Sequence, residues 1–596
     1  MKFSIKSFVT GISIGLCLVL FAGFFQGSNA QTSRSLYLAY PSNNHQTVAS
    51  QIFFIGSAPT TGQVTINNRV IDRSKQGNFA PSFPLQIGDN LFTIRHQNKT
   101  VNVKVTRLDR SLPIPKELGF TTASLNPSTD ITRLVGEWIC FTAIATPNAR
   151  VSVELGDEKV ALLPQSRRGE VPANSAVLTG LNQAEDTKVT GFYRGCKQFN
   201  RVADLGIPTF TATLNEKTIR QKGTGEINII SEENLPAIEV ISPRGVARTG
   251  PSSDHSRLTP LPKGTRASVT GKEGDWLRLD YGGWILAKET RSIDNEVLDT
   301  ATVSGISSRP GKDATEIIFP LSRPVPIAVR QEDDKFILTL YTSIAKTDTI
   351  FIGENPLVRR MDWRQVTPTS VEYTFFLNQN RQWGYDLRYE GSNLVLTLRY
   401  PPARGQGLQG TTILLDPGHG GKETGATGPT GYTEKQVNIA VSKLIQRELE
   451  RLGATVYLTR ESDTDLSLPA RVDIIDNLKP TLALSVHYNA LPDGGDAINT
   501  KGIGIFWYHP QAHELAAFLH DYLTKTLKRS SYGVFWNNLA LTRPHSAPSI
   551  LLELGFMSNP DEFEWITDAG EQQKLARAVA EGIRDWFEEE AGGRRQ

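Results

Sequence analysis

An excess of charge of one sign is missing. The 596 residues carry 64 Lys and Arg against 62 Asp and Glu, a formal net charge of +2. Lys2 and Lys6 supply that excess, so the chain beyond its first 30 residues is near neutral. Nothing argues for nucleic acid as a partner or for electrostatic attachment to a membrane surface. Low-complexity tracts are absent too, and 39% hydrophobic with 21% charged residues is the composition of soluble globular protein. Cysteine is scarce: three are present, and Cys17 lies in the apolar N-terminal stretch, which leaves one disulfide at most.

What is present begins with a leader. Lys2 and Lys6 precede an uncharged apolar run, Phe8 to Phe25, and Ser28-Asn29-Ala30 puts small residues where a signal peptidase reads. Cleavage after Ala30 is expected, with export to the periplasm or cell wall and no stable membrane span afterwards. An uncleaved anchor is the alternative, since 18 apolar residues just span a bilayer. Leu16 before Cys17 is too large for a lipoprotein cleavage site. In an exported chain Cys140 and Cys196, in the strand-like runs GEWICFTA and GFYRGC, are expected to pair across neighbouring strands.

Such a length predicts about four domains, and 50 Gly with 33 Pro predict many turns and short strands. Residues 31–115 alternate apolar and polar residues between Gly and Asn turns. Their GQVTINN and GDNLFTI stretches resemble bacterial immunoglobulin-like modules. Residues 130–235 read as a second β-domain. Residues 237–292 carry RTGPS, LPKG, VTG, DWLRL and GGWI in order and resemble a bacterial Src-homology-3-like domain. Domains of that family often bind peptidoglycan peptides. Trp284 is expected in its core; Trp276 is left open between core and ligand surface. Residues 299–400 form two strand-rich halves, expected to make a sandwich, and resemble the AMIN module, which localises wall amidases to the wall or to envelope partners. PPARGQGLQG, residues 401–410, reads as a linker.

From residue 411 to about 590 the period changes. TTILLDPG, ATVYLTR, TLALSV, GIGIFWY and SILLEL read as strands. Between them lie helical patterns, the first with Val437, Ala440, Val441, Leu444, Ile445 and Leu449 on one face and Gly453 as its cap. Alternating strand and helix predicts a mostly parallel, doubly wound α/β sheet behind several all-β modules.

Four residues in this segment suit chemistry. His419 sits in a loop rich in Gly and Pro, Glu434 at the start of the following helix, and His487 and Glu553 follow short apolar runs. The loop lacks G-x-x-x-x-G-K-[ST] and a clean G-x-G-x-x-G, so a phosphate cradle is the weaker reading. Two histidines and one carboxylate make an open zinc site, and a second carboxylate handles a water's proton. Asn489 and Asp416 are candidate partners of the histidines, Asp416 equally a cap of the loop. His509, His513 and His520 read as solvated residues at a helix that begins near Pro510. His45, His96 and His255 read as surface residues, and His545 as either a loop residue or a substrate contact.

The blocks DPGHGG-x-x-x-G-A-x-G-x-x-G-x-x-E-K, L-T-R, S-V-H-x-N-A and L-x-E-x-G-F-x-S-N-P occur in order between residues 411 and 588. They resemble zinc-dependent N-acetylmuramoyl-L-alanine amidases of the Amidase_3 type. That resemblance implies Zn²⁺ on His419, Glu434 and His487, Glu553 as the catalytic carboxylate, and cleavage between N-acetylmuramic acid and the L-alanine of the peptidoglycan stem peptide. It implies envelope division proteins as possible partners. Some relatives insert a zinc-blocking helix after the second histidine; YNALPDGGDAINTK has no room for it. A non-catalytic wall-binding scaffold, or another zinc peptidase on the same fold, are the alternatives.

Overall fold

Period-two patterning before residue 400 puts one face of each segment into a core. The computed structural model describes residues 35–109, 113–170, 185–293, 297–403 and 406–591. The expected leader, residues 1–30, lies outside them. Up to residue 400 the regular elements of the described residues are strands, apart from one short 3₁₀ turn at Ala287–Glu289. Residues 35–109 hold a five-stranded sheet and two smaller ones around Ile52, Phe54, Val64, Phe79, Ile94 and Val105.

In the next block Trp138–Ile144 pairs antiparallel with Glu185–Gln198, which sets Cys140 directly opposite Cys196. The two are joined by a disulfide. Alkylation under denaturing, non-reducing conditions should therefore label neither. Replacing both by Ser should cost the block about 2–4 kcal/mol of stability; labelling of both in the native chain would show free thiols.

Residues 130–235 and 237–292 are not separate sheets. Ile131–Leu134 pairs with Arg266–Glu273, and one eight-stranded sheet runs through both. Trp284 is buried there; Trp276 is half-buried, its ring 6.0 Å from the Arg248 guanidinium carbon. Residues 299–400 form a sandwich of a five-stranded and a four-stranded sheet, with Phe319, Phe336, Tyr373 and Phe375 between them.

The C-terminal segment has six strands: β1 (Thr412–Pro417), β2 (Thr455–Leu458), β3 (Leu482–Asn489), β4 (Ile503–Trp507), β5 (Ser531–Trp536) and β6 (Ser549–Phe556). Their order is β2-β1-β3-β6-β4-β5, parallel except where β4 meets β6. The helices are α1 (Glu434–Arg451), α2 (Leu468–Leu478), α3 (His513–Leu527), α4 (Pro560–Ile566) and α5 (Ala569–Ala591). Successive strand residues face opposite ways. Ile413 and Leu415 join the core with α1, α3 and α5, while Leu414 between them meets Ile475 of α2. The sheet is thus covered on both faces, which is why its strands read as continuous apolar runs. Among the described residues no helix is long and apolar enough to cross a membrane.

Candidate metal centre

The chain delivers three donors to one point from three elements. His419 follows β1, Glu434 opens α1, and His487 lies near the end of β3. Their ligand atoms all lie within 4.8 Å of one another. Glu434 holds the middle, one carboxylate oxygen 3.0 Å from His419 Nε2 and the other 2.9 Å from His487 Nδ1. A tetrahedral ion with donors at about 2.0–2.2 Å separates neighbouring donors by roughly 3.3–3.6 Å, so small shifts would seat one here. Two imidazoles and one carboxylate are zinc's chemistry and leave a position open. The residues present fit that ion.

The local sequence explains the convergence. A Cβ at position 418 would lie 2.2 Å from His487 Cε1, and one at 425 would lie 2.4 Å from Glu434 Oε2, so glycine alone lets the loop approach. His419 itself has φ 58°, a left-handed conformation that a non-glycine residue keeps only when its surroundings hold it. They do. Arg471 Nη2 donates to the His419 carbonyl at 2.7 Å, and Arg460 donates to the carbonyls of Pro417 and Gly418, each at 2.9 Å. Gln436 Oε1 accepts from the Thr433 amide at 3.0 Å, half of a capping box that starts α1 at Glu434.

Glu553 completes the group. It lies in β6 opposite His487 in the register, is buried, and its Oε2 has no hydrogen-bond partner. Burial, and then the neighbouring Glu434 charge, push its pKa well above the usual carboxylate range. Glu434 goes the other way. Burial opposes its ionisation, but the hydrogen bonds and charges of His419 and His487 outweigh burial and hold it well below that range. Two carboxyls driven apart in this manner are the pattern of separate acid–base and ligand roles.

The segment built around this cluster has known relatives. Residues 413–585 match the family described as N-acetylmuramoyl-L-alanine amidase. A curated relative, the probable cell wall amidase LytH of Staphylococcus aureus, is 38% identical over 182 residues, covering 30% of this chain and 60% of LytH. The chain thus spans about 60% of the length of the curated relatives it matches. Among solved structures, the amidase catalytic domain of CwlV from Bacillus (Paenibacillus) polymyxa var. colistinus is 28% identical over 30% of this chain and 98% of that one, with a TM-score of 0.28. The amidase AmiC2 of Nostoc punctiforme is 28% identical over 30% and 97%, also with a TM-score of 0.28.

Around this amidase-like cluster several sequence expectations need correction. Asp416 and Asn489 do not hold the histidines. Asp416 is bound by Arg471 Nη1, Thr459 Oγ1 and Ser485 Oγ, each at 2.6 Å, and so ties β1 to β3 and α2. Asn489 accepts from the Ala490 amide, and its Nδ2 is buried without a partner. The residue on His419 Nδ1 is Glu423, 3.0 Å away. Its spacing of four from His419 was a signal, but in an irregular loop that spacing carries no helical meaning. His520 is buried and His509 half-buried. His509 Nε2 lies 2.8 Å from the Arg543 carbonyl, with burial lowering its pKa to about 4. His520 is buried with Nε2 2.9 Å from Ser531 Oγ. His96 is buried against the Thr61 carbonyl at 2.8 Å. His45 reaches Asp493, six residues after His487. His545 stacks on Tyr385, ring centroids 4.6 Å apart, where the 299–400 sandwich meets the α/β segment.

Proposed function

We propose that the protein is an exported, zinc-dependent N-acetylmuramoyl-L-alanine amidase that removes stem peptides from peptidoglycan during wall remodelling or cell separation. The observation that carries this reading is the convergence of His419, Glu434 and His487 beside a buried, unpartnered Glu553, inside the segment that matches the amidase family. The expected leader and the wall amidase LytH support a location in the periplasm or wall.

Zinc, when bound, would polarise the scissile carbonyl and make water a better nucleophile at neutral pH. The chain's own groups do the rest. His419 and His487 would present ring nitrogens to the ion and Glu434 its carboxylate, with Glu434 fixed further by the Ala426 amide at 2.8 Å and the Tyr488 amide at 3.2 Å. Glu423 on His419 Nδ1 sets that ring's tautomer and orientation. Glu553 takes the proton of the attacking water and passes it to the leaving alanine nitrogen. A group that must hold and release a proton near neutral pH needs a raised carboxyl pKa, and burial beside Glu434 supplies it.

The full chain, supplied with zinc and a soluble muropeptide, should yield the free disaccharide acid and a stem peptide with a new N-terminal amine. Release of terminal D-alanine instead would indicate a carboxypeptidase.

A further inference from the structure

The first β-module, which ends about 310 residues before His419, is seated against the segments that flank the metal centre. Tyr40 Oη hydrogen-bonds Asp493, and His45 Nε2 lies 2.9 Å from the other oxygen of the same carboxylate. Gln51 Nε2 donates to the Gly494 carbonyl at 2.7 Å. Beside these polar contacts Phe53, Ile55 and Ala80 bury Ala497, with Tyr40 and Leu491 packed against them. All these partners lie in the loop that leaves β3 after Asn489, two residues past His487. The module also touches the two other segments that carry site residues. The Gln76 amide donates to Glu564 at 2.7 Å, in α4, which follows the Glu553 strand. Tyr37 lies over Gly431, where a Cβ would come within 2.9 Å of its hydroxyl, three residues before Glu434.

We propose that residues 35–109 are a fixed side wall of the reaction site, with Asp493 a positioning residue through which the module holds the loop after His487. This rests on the amidase reading. It goes beyond the wall-binding and localising roles that resemblance implies for the later β-modules. Three features favour a wall over a movable cover. The side chains of His419 and His487 remain 19% and 16% exposed with the module in place, so the donors are reachable. Burial opposes ionisation of Asp493, yet bonds from Thr47, Tyr40 and His45 outweigh it and hold its carboxyl below the usual range, so the grip favours the charged form. The far side of the loop is pinned as well, because Asn559 Nδ2 donates to the carbonyls of Ala497, Ile498 and Thr500.

The geometry offers a direct test in the full chain. A Cβ at position 494 would lie 3.5 Å from the Ala49 Cβ, within the usual range for a disulfide, about 3.5–4.5 Å, and Gly494 has no left-handed φ to oppose the change. Oxidised Ala49→Cys/Gly494→Cys should keep the wild-type rate on a soluble muropeptide. If locking stops turnover and reduction restores it, with reduced wild type as control, the module is a cover and the wall is refuted. The converse variant, Asp493→Ala, should keep its zinc and lose about 10-fold or more in kcat/KM, on the scale that displaced site groups cost. Asp493→Asn, which still accepts from Tyr40, should recover most of it. Hydrogen exchange of residues 490–499 should rise in Asp493→Ala, a readout independent of activity. Unchanged exchange or a wild-type rate in that variant would overturn the proposal. If Asp493→Ala shows the exchange effect but the wild type splits no muropeptide, the amidase reading falls instead.

Discussion

Glu553→Gln should retain its metal and lose at least about 10²-fold in rate, the usual scale for removing a general acid–base group. Glutamine has the shape of a protonated glutamate but cannot exchange a proton. It also tests the electrostatics. A carboxyl whose folded pKa is raised costs stability as pH climbs above the ordinary carboxylate range, because the unfolded chain ionises first. Burial and Glu434 raise Glu553 in this way. Metal-free Glu553→Gln should therefore be at least as stable as wild type at neutral pH. Calorimetry of the metal-free pair and rates of the zinc-loaded pair check the two halves. A variant with near wild-type turnover would give the proton transfer to another group.

His487→Ala should weaken zinc binding by more than the roughly 10–100-fold that losing an outer partner costs, because it removes a donor. Glu434 would also lose one of the two imidazole partners that hold it ionised within a buried site. The remaining pair, His419 and Glu434, supplies too few donors for a closed set. Metal content after dialysis against a weak chelator is the measurement. Full occupancy in His487→Ala would remove His487 from the ligand set.

The parts of the fold that follow from local pattern were legible. The switch from period two to helical spacing near residue 411 marks the doubly wound segment, and apolar strand runs followed by polar residues mark the strand ends where His487 and Glu553 stand. The parts decided by distant pairing were not. Nothing local in ITRL announces that it pairs with residues about 140 positions later and fuses two β-blocks into one sheet. The same holds for Asp493, whose partners Tyr40 and His45 lie about 450 residues upstream in the chain. Single histidines misled for a related reason. His96, His509 and His520 each satisfy a nitrogen on one carbonyl or hydroxyl that only the fold brings near, so a polar residue ends up buried, or in His509 half-buried, without a sequence signature. Glu423 was hidden because its loop has no period from which to infer a neighbour.

Digestion of purified sacculi by the zinc-loaded full chain, followed by mass analysis of the soluble products, tests the central claim most directly. The account predicts intact stem peptides, each bearing a free N-terminal alanine amine, with the glycan strands left uncut and carrying free lactyl carboxylates. Soluble products made of glycan fragments, or of single amino acids with the stem still attached to muramic acid, would contradict it.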